Sequence, residues 1–347
     1  MSRPVKVRDL VIGGGNPVVI QSMTNTDTAN APATLAQIRA LRDAGCELVR
    51  VTVNAPEAAE ALKTIVRESP LPVAADIHFD YRLALAAIRS GVHKLRLNPG
   101  NIGSAQKVRE VASAAKDAGI PIRIGVNGGS LEREILQRHG KATPAAMVES
   151  ALKHAELLEK NGFTDIVISL KSSHIRTMIA AYREMSRLRD YPLHLGVTEA
   201  GTAFQGSIKS AVGIGSLLAD GIGDTIRVSL TEDPVEEIRV AKEILKVLGL
   251  RKEGVEIISC PTCGRTEIDL ITLTKKVEKA FEGDKRNIRI AVMGCVVNGP
   301  GEAREADFGV AGGRGVGLLF RKGEIYKKVT EEEILPELQK MAAQEKF

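Results

Sequence analysis

The sequence predicts an α/β chain in which a (β/α)8 barrel of the TIM type is followed by a small α+β domain. Three observations carry this. Short β-branched runs alternate with amphipathic segments through about residue 250. Eight such β-then-α units suit a closed barrel, whereas an open doubly wound sheet, the alternative, rarely needs eight. Beyond that point strands no longer alternate one to one with helices.

The eight strands start at Val18 (VVIQS), Leu48 (LVRVT), Val73 (VAADI), Lys94 (KLRLN), Ile122 (IRIGV), Asp165 (DIVIS), Leu193 (LHLGV) and Asp224 (DTIRV). Helical periodicity covers residues 34–44, 57–66, 105–118, 144–160, 173–187, 205–219 and 235–248. The run Gly13–Gly15 precedes the first strand, the reverse of the order a dinucleotide fingerprint requires. The polar, glycine-bracketed segment LGLRKEG predicts a linker at 249–254, so the domains are expected at 1–250 and 251–347. The second domain reads as strand (VEIIS), helix (266–281), strand (IRIAVMG), the runs FGVAGG and GVGLLFRKG, and a final helix over about 331–344.

Composition narrows the class. Of 347 residues, 44% are hydrophobic and 26% charged, as in ordinary globular chains. Trp is absent and aromatics are 3%, so the core must be aliphatic. A net charge of +5 without runs of like charge makes no case for nucleic acid. MSRPVKVRDL lacks the apolar stretch of a signal peptide, and no run of 18 apolar residues predicts a membrane span. The expected setting is the cytoplasm, where the four cysteines serve as ligands or core residues rather than disulfides.

Five barrel strands carry a cation in or at the end of an apolar run: Arg50, Arg96, Arg123, Lys171 and Arg227. A strand buried on both faces should be nearly all apolar, and an unpaired buried cation is costly. In four of these strands the residue two further on, on the same face, is small or polar: Thr52, Asn98, Gly125 and Ser229. The cations are thus expected to point inward toward the C-terminal mouth, where barrel enzymes place their sites. Acids able to neutralise them are few, Asp76 and Glu199 being the candidates. A cationic cup of this kind suits a polyanion, since Arg presents phosphate with two parallel donors. Pairing of the same cations with loop acids is the structural alternative. Glu199 can serve as general acid or base, or as the counter-ion of an Arg. His78 can donate a proton, touch phosphate, or be a satisfied loop histidine. Asn127, in GVNGGS, reads as a site-loop or turn residue.

After each of two strands of the second domain stands a cysteine group: Cys260 and Cys263 in CPTC, and Cys295 in MGCVVNGPGE. Thiolates select zinc or iron–sulfur clusters. A structural zinc wants four Cys or His ligands, yet all six histidines precede residue 250. Cys46 stands at the start of the second strand, at the bottom of the barrel, and reads as a buried core thiol. Three cysteines and one open or unusual position remain, for which Glu302, beyond the Gly299-Pro300-Gly301 turn, is the oxygen candidate. A thioredoxin-type C-x-x-C would leave Cys295 unexplained.

ISCPTCGRTEIDL and MGCVVNGPGEAREADFGVAGG resemble the 4-hydroxy-3-methylbut-2-enyl diphosphate synthase family in its bacterial two-domain form, dependent on ferredoxin or flavodoxin. So do VIQSMTNTDT, RVTVN, ADIHFD, LRLNPGNIG, RIGVNGGSLE, SLKSS, GVTEAG and DTIRVSLTEDP, which take in nearly the whole chain. The resemblance implies a TIM-type barrel and a cluster domain similar to a sulfite or nitrite reductase module. It implies reductive opening of 2-C-methyl-D-erythritol 2,4-cyclodiphosphate in non-mevalonate isoprenoid biosynthesis. Cys260, Cys263, Cys295 and Glu302 would hold a [4Fe–4S] cluster. Arg50, Arg96, Arg123, Asn127, Lys171 and Ser229 would grip the diphosphate, with Glu199 and Glu302 the catalytic carboxylates. Ferredoxin or flavodoxin would donate electrons to a head-to-tail homodimer. The rivals are a redox-silent phosphate-binding barrel with a zinc-binding tail, and a non-catalytic cluster carrier.

Overall fold

In most barrel strands alternate residues are apolar, as Val49 and Val51, Ile122, Ile124 and Val126, and Ile166, Ile168 and Leu170 are, and this half of the strand buries against helices. In the computed structural model, which describes residues 1–252, 254–296 and 303–345, the chain divides into two compact units, Met1–Arg251 and Lys252–Phe347.

The first unit opens with a hairpin, β1 (Val5–Val7) and β2 (Leu10–Ile12). Eight parallel strands follow: β3 (Val19–Met23), β4 (Leu48–Thr52), β5 (Val73–Asp76), β6 (Lys94–Arg96), β7 (Ile122–Asn127), β8 (Ile166–Lys171), β9 (His194–Leu195) and β10 (Thr225–Ile226). Their order is β8-β7-β6-β5-β4-β3-β10-β9, and a parallel bridge between Ile168 and Leu193 joins the two ends into a barrel. The helices are α1 (Ala31–Ala44), α2 (Pro56–Glu68), α3 (Tyr81–Arg89), α4 (Ala105–Asp117), α5 (Arg133–His139), α6 (Pro144–Glu159), α7 (Ile175–Leu188), α8 (Ala203–Ala219) and α9 (Pro234–Val247). Several begin on a good cap: Asn30, Asp80, Thr143 and Asp233 each accept a backbone N–H of the first turn.

Outward strand residues such as Val49, Val51, Ala75, Leu95, Ile122, Ile124 and Ile168 join helix residues such as Ile38, Leu62, Ala84, Val111 and Met178 in one continuous core. Each fully buried Val, Ile or Leu there contributes roughly 1.5–3 kcal/mol. The hairpin has a separate task. Val7 and Ile12 pack on Val19, Leu48 and Ala74, close to the N-terminal ends of three barrel strands, and so seal the bottom.

The second unit is one mixed sheet, β11 (Val255–Ser259), β12 (Ile288–Met293), β13 (Phe308–Gly313), β14 (Val316–Arg321) and β15 (Glu324–Thr330), ordered as numbered. The first three strands are parallel and the last two antiparallel. Helices α10 (Leu270–Ala280) and α11 (Ile334–Gln344) supply Leu273, Val277, Leu338 and Met341 to a core over Ile290, Phe308 and Leu319.

Several elements differ from expectation. The strands at Leu193 and Asp224 form ladders over only two residues each, because the chain then diverges into loops at the mouth. The helix expected from 266 starts at Leu270, since Thr266 closes a turn on the Cys263 carbonyl and Asp269 is the cap. The final helix is preceded by a 3-10 turn over Glu331–Glu333. The hairpin, α3, α5 and β15 were not foreseen. Among the described residues no helix is long and apolar enough to cross a membrane.

Candidate active site

Alternation dictates that the other half of each barrel strand faces inward. In most TIM barrels that interior is filled by branched apolar side chains. Here the bottom, at Val19, Leu48 and Ala74, is apolar, and above it the lining turns polar and cationic. Lys94, Arg96, Arg123 and Lys171 are buried, while Arg50 and Arg227 expose 11% and 18% of their side chains.

These six cations meet two carboxylates among the described residues. Asp76, at the end of β5, lies 3.0 Å from Arg96 and 3.6 Å from both Arg50 and His78. Burial alone would raise its carboxyl, but Arg50, His78 and Arg96 hold it well below the usual range. Glu237, on α9, takes Arg227 at 3.1 Å and also accepts from the Ser22 hydroxyl at 3.0 Å. Burial pushes Arg50 down to about 10 despite Asp76. Arg123 donates to Ser169 at 2.9 Å and leaves Nη2 without a partner. Lys171 has no carboxylate beside it among the described residues; burial and then its Arg neighbours push its ammonium well below its ordinary value. Lys94, deeper, is wholly buried with Nζ unpartnered. His194 is bonded through Nδ1 to Thr225 at 2.6 Å, and burial, followed by the neighbouring cations, pushes it well below its ordinary value.

Glycines make the room. A Cβ at Gly125 would sit 2.3 Å from Arg96 Nε, and one at Gly196 would sit 2.6 Å from Lys171 Nζ. Asn98 fastens the same region: its amide accepts from the Gly125 N–H at 2.7 Å and donates to the Gly125 carbonyl at 3.0 Å. Arg96 Nη2 also donates to that carbonyl, at 3.0 Å.

The strand registers set Arg96 beside Arg123, and Asn127 beside Lys171. Asn127 ends β7 half-buried, and Ser229 is half-buried just past β10. Glu199 is exposed after β9 with φ of 54°, a backbone region uncommon for residues other than glycine. Among the described residues no ion pair holds it, so Glu237, not Glu199, is the second counter-ion. Sequence reasoning missed Glu237, although a signal existed. It interrupts the buried stripe Pro234, Ile238, Ala241, Ile244 of α9 with an acid. Lys94 was missed too, although it stands two residues before Arg96 and so on the same face.

In the second unit the parallel register pairs Ser259 with Val292, so Cys260 and Cys295 leave the same end of adjacent strands. The Gly294 N–H donates to Cys260 Sγ at 3.2 Å, and Glu267 N–H to the Gly294 carbonyl at 2.9 Å. Cys263 is exposed, and the backbone N–H and guanidinium of Arg265 lower its thiol. Cys295 is buried. Glu302 lies outside the described residues, and among those described no three His, Cys, Asp or Glu side chains converge as a preformed metal group. Cys46 is buried at the start of β4, where burial pushes its thiol up to about 12.

Residues 2–242 match the GcpE TIM-barrel domain, and residues 256–344 match the GcpE protein C-terminal domain. The 4-hydroxy-3-methylbut-2-en-1-yl diphosphate synthase (flavodoxin) of Fusobacterium nucleatum is 64% identical over 344 residues, 99% of this chain and 97% of that one. The same enzyme of Clostridium perfringens is 62% identical over 340 residues, 98% of this chain and 97% of that one. The Yersinia pestis dihydropteroate synthase structure shares the fold, with TM-score 0.51 and 12% identity over 72% of this chain and 98% of that one. Matches to both domains, and relatives this similar end to end, show that the chain belongs to the GcpE family.

Proposed function

We propose that this chain catalyses the two-electron reductive opening of 2-C-methyl-D-erythritol 2,4-cyclodiphosphate to 4-hydroxy-3-methylbut-2-enyl diphosphate in the cytoplasm. The observation that carries the reading within the barrel is the imbalance of six largely buried cations against two carboxylates among the described residues. An interior of that sign is costly until an anion enters it, and a diphosphate brings the missing charge. Arg50, Arg96, Arg123 and Lys171 would hold its oxygens from the barrel wall, with Asn127 and Ser229 as neutral donors at the rim. Much of the electrostatic cost is already met in the empty protein, so the charge is preorganised rather than recruited. Glu199, exposed at the mouth, would supply a proton as the C3 hydroxyl departs as water.

The cysteines fit a [4Fe–4S] cluster by chemistry: three thiols that follow the same end of two adjacent strands, none in a disulfide, one already accepting a backbone N–H. Cys260, Cys263, Cys295 and Glu302 would hold it. When bound, such a cluster supplies electrons singly and a Lewis-acidic iron. The donor is a flavodoxin, the partner in the relatives' name, or a ferredoxin, and the working assembly a head-to-tail homodimer.

An anaerobic assay with the cyclic diphosphate and a low-potential reductant, following product by mass, tests the reading. Turnover by brown, iron-containing protein is expected. A colourless protein with zinc and no turnover would leave the redox-silent barrel in its place.

A further inference from the structure

We propose that His154, together with Glu132, is a clasp that holds two mouth loops at working spacing, and so sets affinity for the diphosphate without touching it. This deepens the reading of the barrel site and rests on it. His154 sits on α6, on the outer side of the barrel wall, and is 2% exposed. Its Nδ1 accepts the Gly100 N–H at 3.0 Å, in the 3-10 turn Pro99–Asn101 that leaves β6. An acceptor Nδ1 leaves the ring proton on Nε2. That nitrogen lies 3.1 Å from Glu132 Oε1, in the loop that leaves β7, although not in line for a straight hydrogen bond. Ser150, also on α6, donates to the other Glu132 oxygen at 2.8 Å. Burial would raise the Glu132 carboxyl, yet His154, backbone and Ser150 contacts bring it down to about 2.

One ring therefore ties the exits of β6 and β7, the strands that carry Arg96, Arg123 and Asn127. The Asn98 amide ties the same two strands from the inside. The packing is tight: a Cβ on Gly100 would lie 2.7 Å from His154 Cε1. A histidine needed only to fill the wall would have no reason to meet a backbone donor with one nitrogen and a carboxylate with the other.

The test uses cluster-loaded protein, with iron content equalised between samples. His154→Ala is expected to raise KM for the cyclic diphosphate about tenfold, the loss of roughly one hydrogen bond's worth of positioning, with kcat per cluster changed less than about threefold. Backbone amides of residues 98–102 and 127–132 should exchange with deuterium faster. His154→Gln, which can accept and donate at once, should recover most of both. Gly100→Ala pushes the loop off an intact ring and should reproduce the KM rise if His154→Ala does not fold. Unchanged exchange in both segments, or a wild-type KM in both variants even with a lowered Tm, overturns the clasp. If the wild-type protein itself does not turn over the cyclic diphosphate, the functional reading fails, and the exchange data alone decide whether the clasp exists.

Discussion

Asp76 is shared by Arg50, Arg96 and His78. Removing one partner of a buried ionic group typically costs about 3–5 kcal/mol, so Asp76→Asn should lower Tm sharply in ligand-free protein. Its carboxyl is depressed by folding, so this stability is present above the unfolded value and lost as pH falls through the folded one. The gap in Tm between wild type and variant should stay level from pH 7 to about 5 and start to narrow only below about 4, shrinking further as the pH falls. Lys94 predicts the opposite sign. Its ammonium is buried without a partner, and burial followed by Arg123 and Arg50 pushes it well below 10.5. Lys94→Met should stabilise the empty protein by about 1–3 kcal/mol. The unfolded chain binds a proton there that the folded one resists, so the advantage should be largest at low pH and vanish above about 10.5 in urea melts. The cations of the mouth were legible because each breaks an otherwise apolar run. His154 was not, because its partner Gly100 is 54 residues away in the chain and its surroundings read as an ordinary amphipathic helix.

The elements were legible wherever period and punctuation agreed. The outward faces of the strands are apolar by design of the fold, and the helices between them carry ordinary stripes. What escaped notice lacks that signature. Strand β15 is an exposed edge, with only Val329 buried, and its charged pattern EIYKKVT looks like a loop. The hairpin strands are three residues each, too short to show alternation. Yet the hairpin is the barrel's floor, and Ile12→Ala should cost about 2–4 kcal/mol, measurable by urea melts. At the other end, Gly125→Ala would press on Arg96. It should weaken inorganic pyrophosphate binding at least about tenfold by calorimetry, while a substitution at exposed Glu60 should leave it unchanged.

At the scale of the molecule, the two units carry separate cores and separate candidate chemistries. The fragment 1–251 should therefore melt cooperatively and still bind pyrophosphate, yet stay colourless after iron and sulfide are supplied. Replacing Glu302 by Ala in the full chain should alter the cluster spectrum and lower turnover while pyrophosphate binding holds. Retention of full activity and an unchanged spectrum would remove Glu302 from the ligand set. The split into two units was foreseeable from the change in element order near residue 250. The inner polarity of the barrel was foreseeable only in part, because Glu237 reaches it from a helix.

A vessel whose floor is greasy and whose walls are cationic is also a scavenger. If the proposed reading holds, sulfate, citrate or phosphate in a purification buffer will lodge in the same cup and act as an unintended competitor of the diphosphate. Lipophilic inhibitors, in contrast, would find little purchase on walls of guanidinium and ammonium, so a useful one must begin from a compact, doubly charged head.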